Sequence, residues 1–361
     1  MAVFTCKKYG LEVEIGKFAG QADGAAWLKQ GGTVVLSTVC SAPAQDFPGF
    51  LPLSVDYREQ FSAAGKIPGG YFKREGKFTD REVLTSRLID RAIRPLFPAH
   101  YFDQLQVMNI VYSVDREHTP EILSLIASSL ALTVSQVPFM GPVGAVEIAR
   151  VDGQWIYNPL YEQITKSDVK IIVAGTEEGV CMLEGCMDQV VESELLDVIF
   201  KAHEIIKEQI EWQRSIAAEL KIVKKELVST IDWQFWEDKA FNFWTDERLA
   251  QIYKLHKVDR AEVIKKLKAD FFEQNAELIE QQANFTREID YALEECFKTA
   301  LTNWILKSGK RVDGRDFTEV RPITTEVGIL PFVHGSCLFK RGNTQALTSL
   351  TLGSSQDEQK V

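Results

Sequence analysis

Three arginines, Arg87, Arg91 and Arg94, fall at spacings i, i+4 and i+7 in a segment that opens on Thr79 and runs to about Pro95. In a helix those spacings place three guanidinium groups on one stripe. A planar guanidinium bonds two phosphate oxygens at once. Leu88, Ile89, Ala92 and Leu96 would lie on the opposite side. The same stripe also suits a solvated face whose charges are answered by neighbours such as Asp90. Just upstream, residues 65–76 interleave Tyr71 and Phe72 with Lys66, Lys73 and Arg74, and Lys77 follows. Rings stack on bases while cations track the backbone, a composition that fits a single-strand clamp. A surface hairpin would have a similar composition. Together, loop and stripe point to RNA or DNA.

Other chemistries leave no trace. There is no dinucleotide-binding glycine fingerprint, no P-loop, no HExxH and no GxSxG. The five histidines stand apart, so neither a triad nor a zinc site is in view, and His334 beside Gly335 reads as structural. The six cysteines (Cys6, Cys40, Cys181, Cys186, Cys296, Cys337) form no CxxC pair and read as buried or idle thiols. A formal charge of −10 argues against a protein that simply coats nucleic acid. It leaves room for a local basic channel, because steering depends on where charges lie.

The elements that must hold these residues can be read in order. Residues 3–59 read as consecutive strands, with Leu11, Val13 and Ile15 alternating against charged neighbours. Thr79 and Glu82 form a capping box that opens the arginine helix. Leu105 to Tyr112 reads as a strand, and Thr119-Pro120 starts the next helix. The uncharged run Ile122 to Val146 is laced with serines and broken by Pro138 and Pro142, which favours a buried core helix over a membrane span. Asp152-Gly153 joins two strands in a type I′ hairpin. Residues 168–174 and 180–183 add another strand pair. From Cys186 to Ser308 there is neither glycine nor proline. That stretch reads as one long helix, then a small all-helical domain from about 235 to 305. Strands resume near 320. Lys7 and Lys8 precede no apolar run, so no secretory signal is visible and the protein is expected to be cytoplasmic.

One stretch is written twice. Gly24, Lys29, Gly31, Thr33, Gln45 and Asp46 match Gly335, Lys340, Gly342, Thr344, Gln356 and Asp357 at a constant offset without a gap. In both copies a glycine turn joins two β-rich runs, a hairpin signal. So wide a separation suggests a duplicated domain rather than a solenoid.

Arg311-Val312-Asp313-Gly314-Arg315-Asp316, then Arg321-Pro322, resemble the opening of a ribonuclease PH core, and residues 334–345 resemble the strand pair that follows it. With residues 67–76 and 88–97 in a first core, the whole chain in order resembles the bacterial polynucleotide phosphorylase family. The resemblance implies an α+β fold: a ribonuclease PH-like core (ribosomal protein S5 domain 2-like), an all-helical domain, and the start of a second such core. The expected divisions are 1–142 and 143–232 for the two parts of the first core. An all-helical RNA-binding domain follows at 233–307, and a truncated second core at 308–361.

It implies processive 3′-to-5′ phosphorolysis of single-stranded RNA in mRNA degradation. Inorganic phosphate and Mg²⁺ would be used and nucleoside diphosphates released by a ring-shaped homotrimer, in a possible RNA-degradation complex with no membrane partner. By the same likeness Tyr71, Phe72, Lys73 and Arg74 would belong to the channel constriction. Here the family's Phe-Phe-Arg-Arg reads Tyr-Phe-Lys-Arg, which keeps stacking and charge and loses one bidentate fork. Arg341 would serve the RNA-end and phosphate site, where the first copy has Gln30. The metal-binding aspartates are expected beyond Val361, so the chain as given is expected to bind RNA weakly without catalysis. A non-catalytic RNA-binding ring subunit of an exosome-like assembly is the alternative.

Overall fold

Alternating apolar residues build the first sheet. The computed structural model describes residues 1–71, 73–229 and 231–357. In chain order it forms β1 (Ala2–Cys6), β2 (Leu11–Ile15), β3 (Gly24–Gln30), β4 (Thr33–Ala42), β5 (Leu53–Glu59), α1 (Asp80–Ile93), β6 (Gln104–Ser113) and α2 (Pro120–Thr133). Then come β7 (Gly144–Val151), β8 (Gln154–Tyr157), α3 (Tyr161–Lys166), β9 (Val169–Gly175), β10 (Val180–Met187) and α4 (Glu192–Glu219). The helices α5 (Trp233–Phe243), α6 (Asp246–Ala250), α7 (Lys257–Gln274), α8 (Ala276–Gln281) and α9 (Thr286–Ser308) follow, before β11 (Ile323–Val327), β12 (Gly335–Arg341) and β13 (Thr344–Leu350). The mixture of sheet and helix agrees with the α+β expectation. Two compact units divide the chain, Met1–Thr230 and Ile231–Val361.

In the first unit, β1 to β6 form a sheet in the order β1-β2-β3-β4-β6-β5. The first four strands are consecutive neighbours, as the alternation predicts. β5 is not: it lies outside β6 and runs parallel to it. A parallel neighbour needs a crossover, and the connection from β5 to β6 contains α1. A second sheet, β10-β9-β7-β8, carries α4, whose Val198, Ala202, Ile206 and Ile210 are buried against it. The β7–β8 turn has both Asp152 (φ 50°) and Gly153 (φ 74°) in the left-handed region, as a type I′ turn requires.

α2 packs against β3, β4, β6, β7 and α4, and all its residues are buried. That explains an apolar helix laced with serines. Ser128 donates to Asn109 Oδ1 at 2.8 Å, Ser124 to the Pro120 carbonyl at 2.7 Å, and Ser129 accepts from the Val143 N–H at 2.8 Å. These three serine hydroxyls have partners, as burial demands, whereas the Thr133 hydroxyl at the end of α2 has none among the described residues. Pro120 occupies the first turn as predicted, but the Thr119 hydroxyl does not cap the helix. It donates to Glu147 Oε2 instead, at 2.8 Å. No helix among the described residues is long and apolar enough to cross a membrane.

In the second unit, α5 to α9 enclose an aromatic core of Trp236, Phe243, Trp244 and Phe271. The Trp244 indole donates to the Leu293 carbonyl at 2.9 Å, and the Arg248 guanidinium lies 3.8 Å from the Phe243 ring centroid. Burial, with Glu237 nearby, pushes the Cys296 thiol up to about 11, which suits an idle buried thiol. The three-stranded sheet β11-β12-β13 belongs to the same unit, and β11 and β13 are exposed along their whole length.

The written-twice stretch is also folded twice. β3 pairs with β4 from Gly24↔Val39 to Gln30↔Thr33, and β12 pairs with β13 from Gly335↔Leu350 to Arg341↔Thr344. Every partner matches at the sequence offset. The turn glycines have the same left-handed backbone, with φ of 56° at Gly31 and 59° at Gly342. Matched register at both hairpins supports duplication beyond the shared identities.

Candidate nucleic-acid interface

The basic loop and the arginine helix are joined by one capping box. The Thr79 hydroxyl accepts from the Glu82 N–H at 3.2 Å, and Glu82 Oε2 accepts from the Thr79 N–H at 2.7 Å. The other Glu82 oxygen accepts from the Glu59 N–H at 3.0 Å. A buried carboxylate thus ties the start of α1 to the end of β5.

The loop begins after a single 3₁₀ turn, Phe61–Ala64, closed by Gly65 in the left-handed region. Its middle is exposed: Ile67 is 77% exposed and Tyr71 93%. Lys73 and Arg74 are exposed too, and Lys73 takes φ 51°. A non-glycine residue there costs about 1–2 kcal/mol. Gly69, Gly70, Tyr71, Arg74, Glu75 and Gly76 curl around an open hollow of about 440 Å³. Phe72 lies outside the described residues.

The three arginines of α1 part company. Arg87 is exposed and has no ion pair or hydrogen bond among the described residues. Arg91 bonds Glu184 of β10 at 2.7 Å and the Leu183 carbonyl at 3.0 Å. Arg94, placed in a short 3₁₀ turn after α1, grips both oxygens of Asp90 (2.9 and 2.6 Å) and the carbonyls of Leu51 and Leu53 (3.1 and 3.0 Å). Its guanidinium is a bracket between helix and sheet, so the Asp90 partnership describes this residue better than a phosphate site. On the other face Leu88, Ile89 and Ala92 are buried as predicted, whereas Leu96 falls in the 3₁₀ turn beyond α1 and is half-buried.

Arg341 ends β12 in the second unit, paired with Thr344, and is exposed. Its first-copy counterpart Gln30 donates to the Tyr9 carbonyl at 3.2 Å. That side chain holds backbone and offers no charge to an anion.

Spacing gave no hint of one well-built cluster. Asp115, Glu117 and His118 bring ligand-type atoms within 4.8 Å of one another. The Asp115 carboxylate, however, already accepts from the N–H groups of Gly32 (2.9 Å), Glu117 (2.8 Å) and His118 (2.9 Å) and from the Thr33 hydroxyl (3.0 Å). His118 Nδ1 lies 2.8 Å from it. Burial acts to raise the Asp115 carboxyl, but the N–H and ring of His118 and the N–H groups of Glu117 and Gly32 outweigh it and hold it well below the usual carboxylate range. With both oxygens engaged, this donor set does not fit Mg²⁺. It anchors the β3–β4 turn.

The geometry is thus an exposed aromatic and basic loop on a braced α+β core, followed by a helical region. Residues 9–138 match the 3′ exoribonuclease family, domain 1, and residues 141–205 match domain 2 of the same family. Residues 240–316 match the RNA binding domain of polyribonucleotide nucleotidyltransferase. The chain belongs to the 3′ exoribonuclease family. More narrowly, its relatives are bacterial polyribonucleotide nucleotidyltransferases: that of Porphyromonas gingivalis is 42% identical over 359 residues, covering 97% of this chain and 47% of the relative. That of Chlorobaculum parvum is 40% identical over 375 residues, covering 97% and 50%. The crystal structure of rice (Oryza sativa) Rrp46 aligns at a TM-score of 0.47 and 14% identity, over 57% of this chain and 94% of that one. The chain spans about half the length of the curated relatives it matches.

Proposed function

We propose that this chain is the RNA-gripping portion of a 3′-to-5′ phosphorolytic exoribonuclease that shortens single-stranded RNA processively and releases nucleoside diphosphates in mRNA degradation. The observation that carries the reading is the loop between the Phe61–Ala64 3₁₀ turn and α1: exposed Tyr71, Lys73 and Arg74 on a braced base. The ring can stack on a base of any identity, and the cations can follow the backbone, which is what sequence-tolerant threading needs. Arg87 and Arg341 are further cations with solvent access. Arg91 is exposed but shared with Glu184, and Arg94 is held within the fold.

Phosphorolysis brings a phosphate dianion to a phosphodiester, so charge must be neutralised as it develops. Arg341 is proposed for the RNA-end and phosphate site. Mg²⁺ is the expected cofactor and would help neutralise that charge. The Asp115 carboxylate already has both oxygens engaged within the chain and would not hold that ion. A homotrimer in the cytoplasm, working in an RNA-degradation complex, is the proposed setting.

The test is release of ADP from labelled oligoadenylate with Mg²⁺, with and without inorganic phosphate. Residues 1–361 alone are expected to bind the oligomer without releasing ADP. A protein that continues through a full second core is expected to release it only when phosphate is present. ADP from residues 1–361 alone would contradict the assignment. RNA binding with no ADP from either form would favour a non-catalytic ring subunit.

A further inference from the structure

We infer that Arg58 and Glu75 are positioning residues that hold the Lys66–Arg74 loop in the shape in which it meets RNA. The inference rests on the proposed role of that loop. Arg58 lies in β5, with only 17% of its side chain exposed. Its Nη2 donates to the Gly76 carbonyl at 2.7 Å, at the loop's exit. The guanidinium also sits 4.9 Å from the Phe78 ring centroid, and its Nε is 3.7 Å from Glu82 Oε1. One arginine thus contacts Gly76 and Phe78, two of the four positions between the loop and the capping box.

Glu75 ties the exit to the entrance. Its Oε1 accepts from the Phe61 N–H at 3.0 Å. The entrance is pinned from a third side, because the Val114 N–H donates to the Ala63 carbonyl at 3.1 Å. Arg58, Phe61, Lys66, Glu75, Lys77 and Glu82 meet around a cavity of about 250 Å³ under the loop's base.

A segment carrying Gly65, Gly69, Gly70 and Gly76 has large backbone entropy to lose when it binds. Closing its two ends on each other removes much of that freedom before RNA arrives, and preorganisation of this kind raises affinity without adding a contact. Lysine would substitute only in part, because its single ammonium would have to serve both the Gly76 carbonyl and the Phe78 ring.

The experiment uses the whole chain with Arg58→Met, Arg58→Lys and Glu75→Gln variants. Three quantities are measured: melting temperature, the rate of tryptic cleavage after Lys73 and Arg74, and affinity for fluorescein-labelled oligoadenylate. Glu75→Gln keeps the side chain's shape and its acceptor oxygen but weakens a charge-assisted hydrogen bond to a neutral one, so it serves even where Arg58→Met fails to fold. The expected result is cleavage faster by about five- to tenfold, affinity weaker by about the same factor, and partial recovery in Arg58→Lys relative to Arg58→Met. Unchanged cleavage in folded Arg58→Met and Glu75→Gln overturns the positioning role. Faster cleavage with unchanged affinity overturns the RNA role of the loop itself.

Discussion

At the scale of single residues, the chain separates charged groups that hold the fold from those left for solvent. Arg94 and Asp115 have the types expected of a functional site, yet each is surrounded by intramolecular partners. Lys73, Arg74 and Arg87 are exposed. For Asp115 the pH consequence has a definite sign. Its folded carboxyl titrates below an unfolded value of about 4. Its stabilising contribution is therefore complete above about pH 4 and is lost as pH falls through the folded value. Asp115→Asn should lower stability at neutral pH by about 1–3 kcal/mol, because several N–H donors lose an anionic acceptor. It should also flatten the acid limb of the stability curve. Thermal melts between pH 2 and 7 check this, and an unchanged acid limb would contradict it.

At the scale of elements, local signals were legible and distant partners were not. The Thr79–Glu82 capping box and the Asp152-Gly153 turn could be read because both partners of each interaction lie within one turn of the chain. The hairpin register could be read twice, since the glycine turns fix it. The fate of Arg91 and Arg94 could not. Their partners Glu184, Leu183, Leu51 and Leu53 are brought to the helix by tertiary packing, and helical spacing gives no account of that. The place of β5 beyond β6 was hidden for the same reason. The repeat offers a test by contrast. A Cβ on Gly24 would lie 2.2 Å from the Ala131 carbonyl oxygen of α2, whereas one on Gly335 would meet nothing nearer than Leu350 Cβ at 3.4 Å. Gly24→Ala should destabilise the first unit by about 1–3 kcal/mol or more, because the obstacle is backbone. Gly335→Ala should change stability by less than about 0.5 kcal/mol. Urea melts of the two variants check the pair, and equal effects would contradict the packing difference.

At the scale of the whole molecule, a chain with net charge −10 is proposed to grip a polyanion. That is workable only where cations are concentrated, and the loop from Lys66 to Lys77 carries four of them, Lys66, Lys73, Arg74 and Lys77, with Arg58 of β5 bonded to its exit. The family match at residues 9–138 places this loop in a chain that also carries, at residues 240–316, a match to an RNA binding domain. If the loop does the gripping, its contribution must appear in the salt dependence of binding. Each phosphate neutralised on a single strand adds about −0.7 to the slope of log affinity against log salt. The most direct measurement is therefore the affinity of residues 1–361 for labelled oligoadenylate across a salt series, with and without the Lys73→Ala/Arg74→Ala pair. The account predicts weaker binding by the double variant at low salt and a slope shallower by about 1.4. The same affinity and the same slope in both proteins would contradict it.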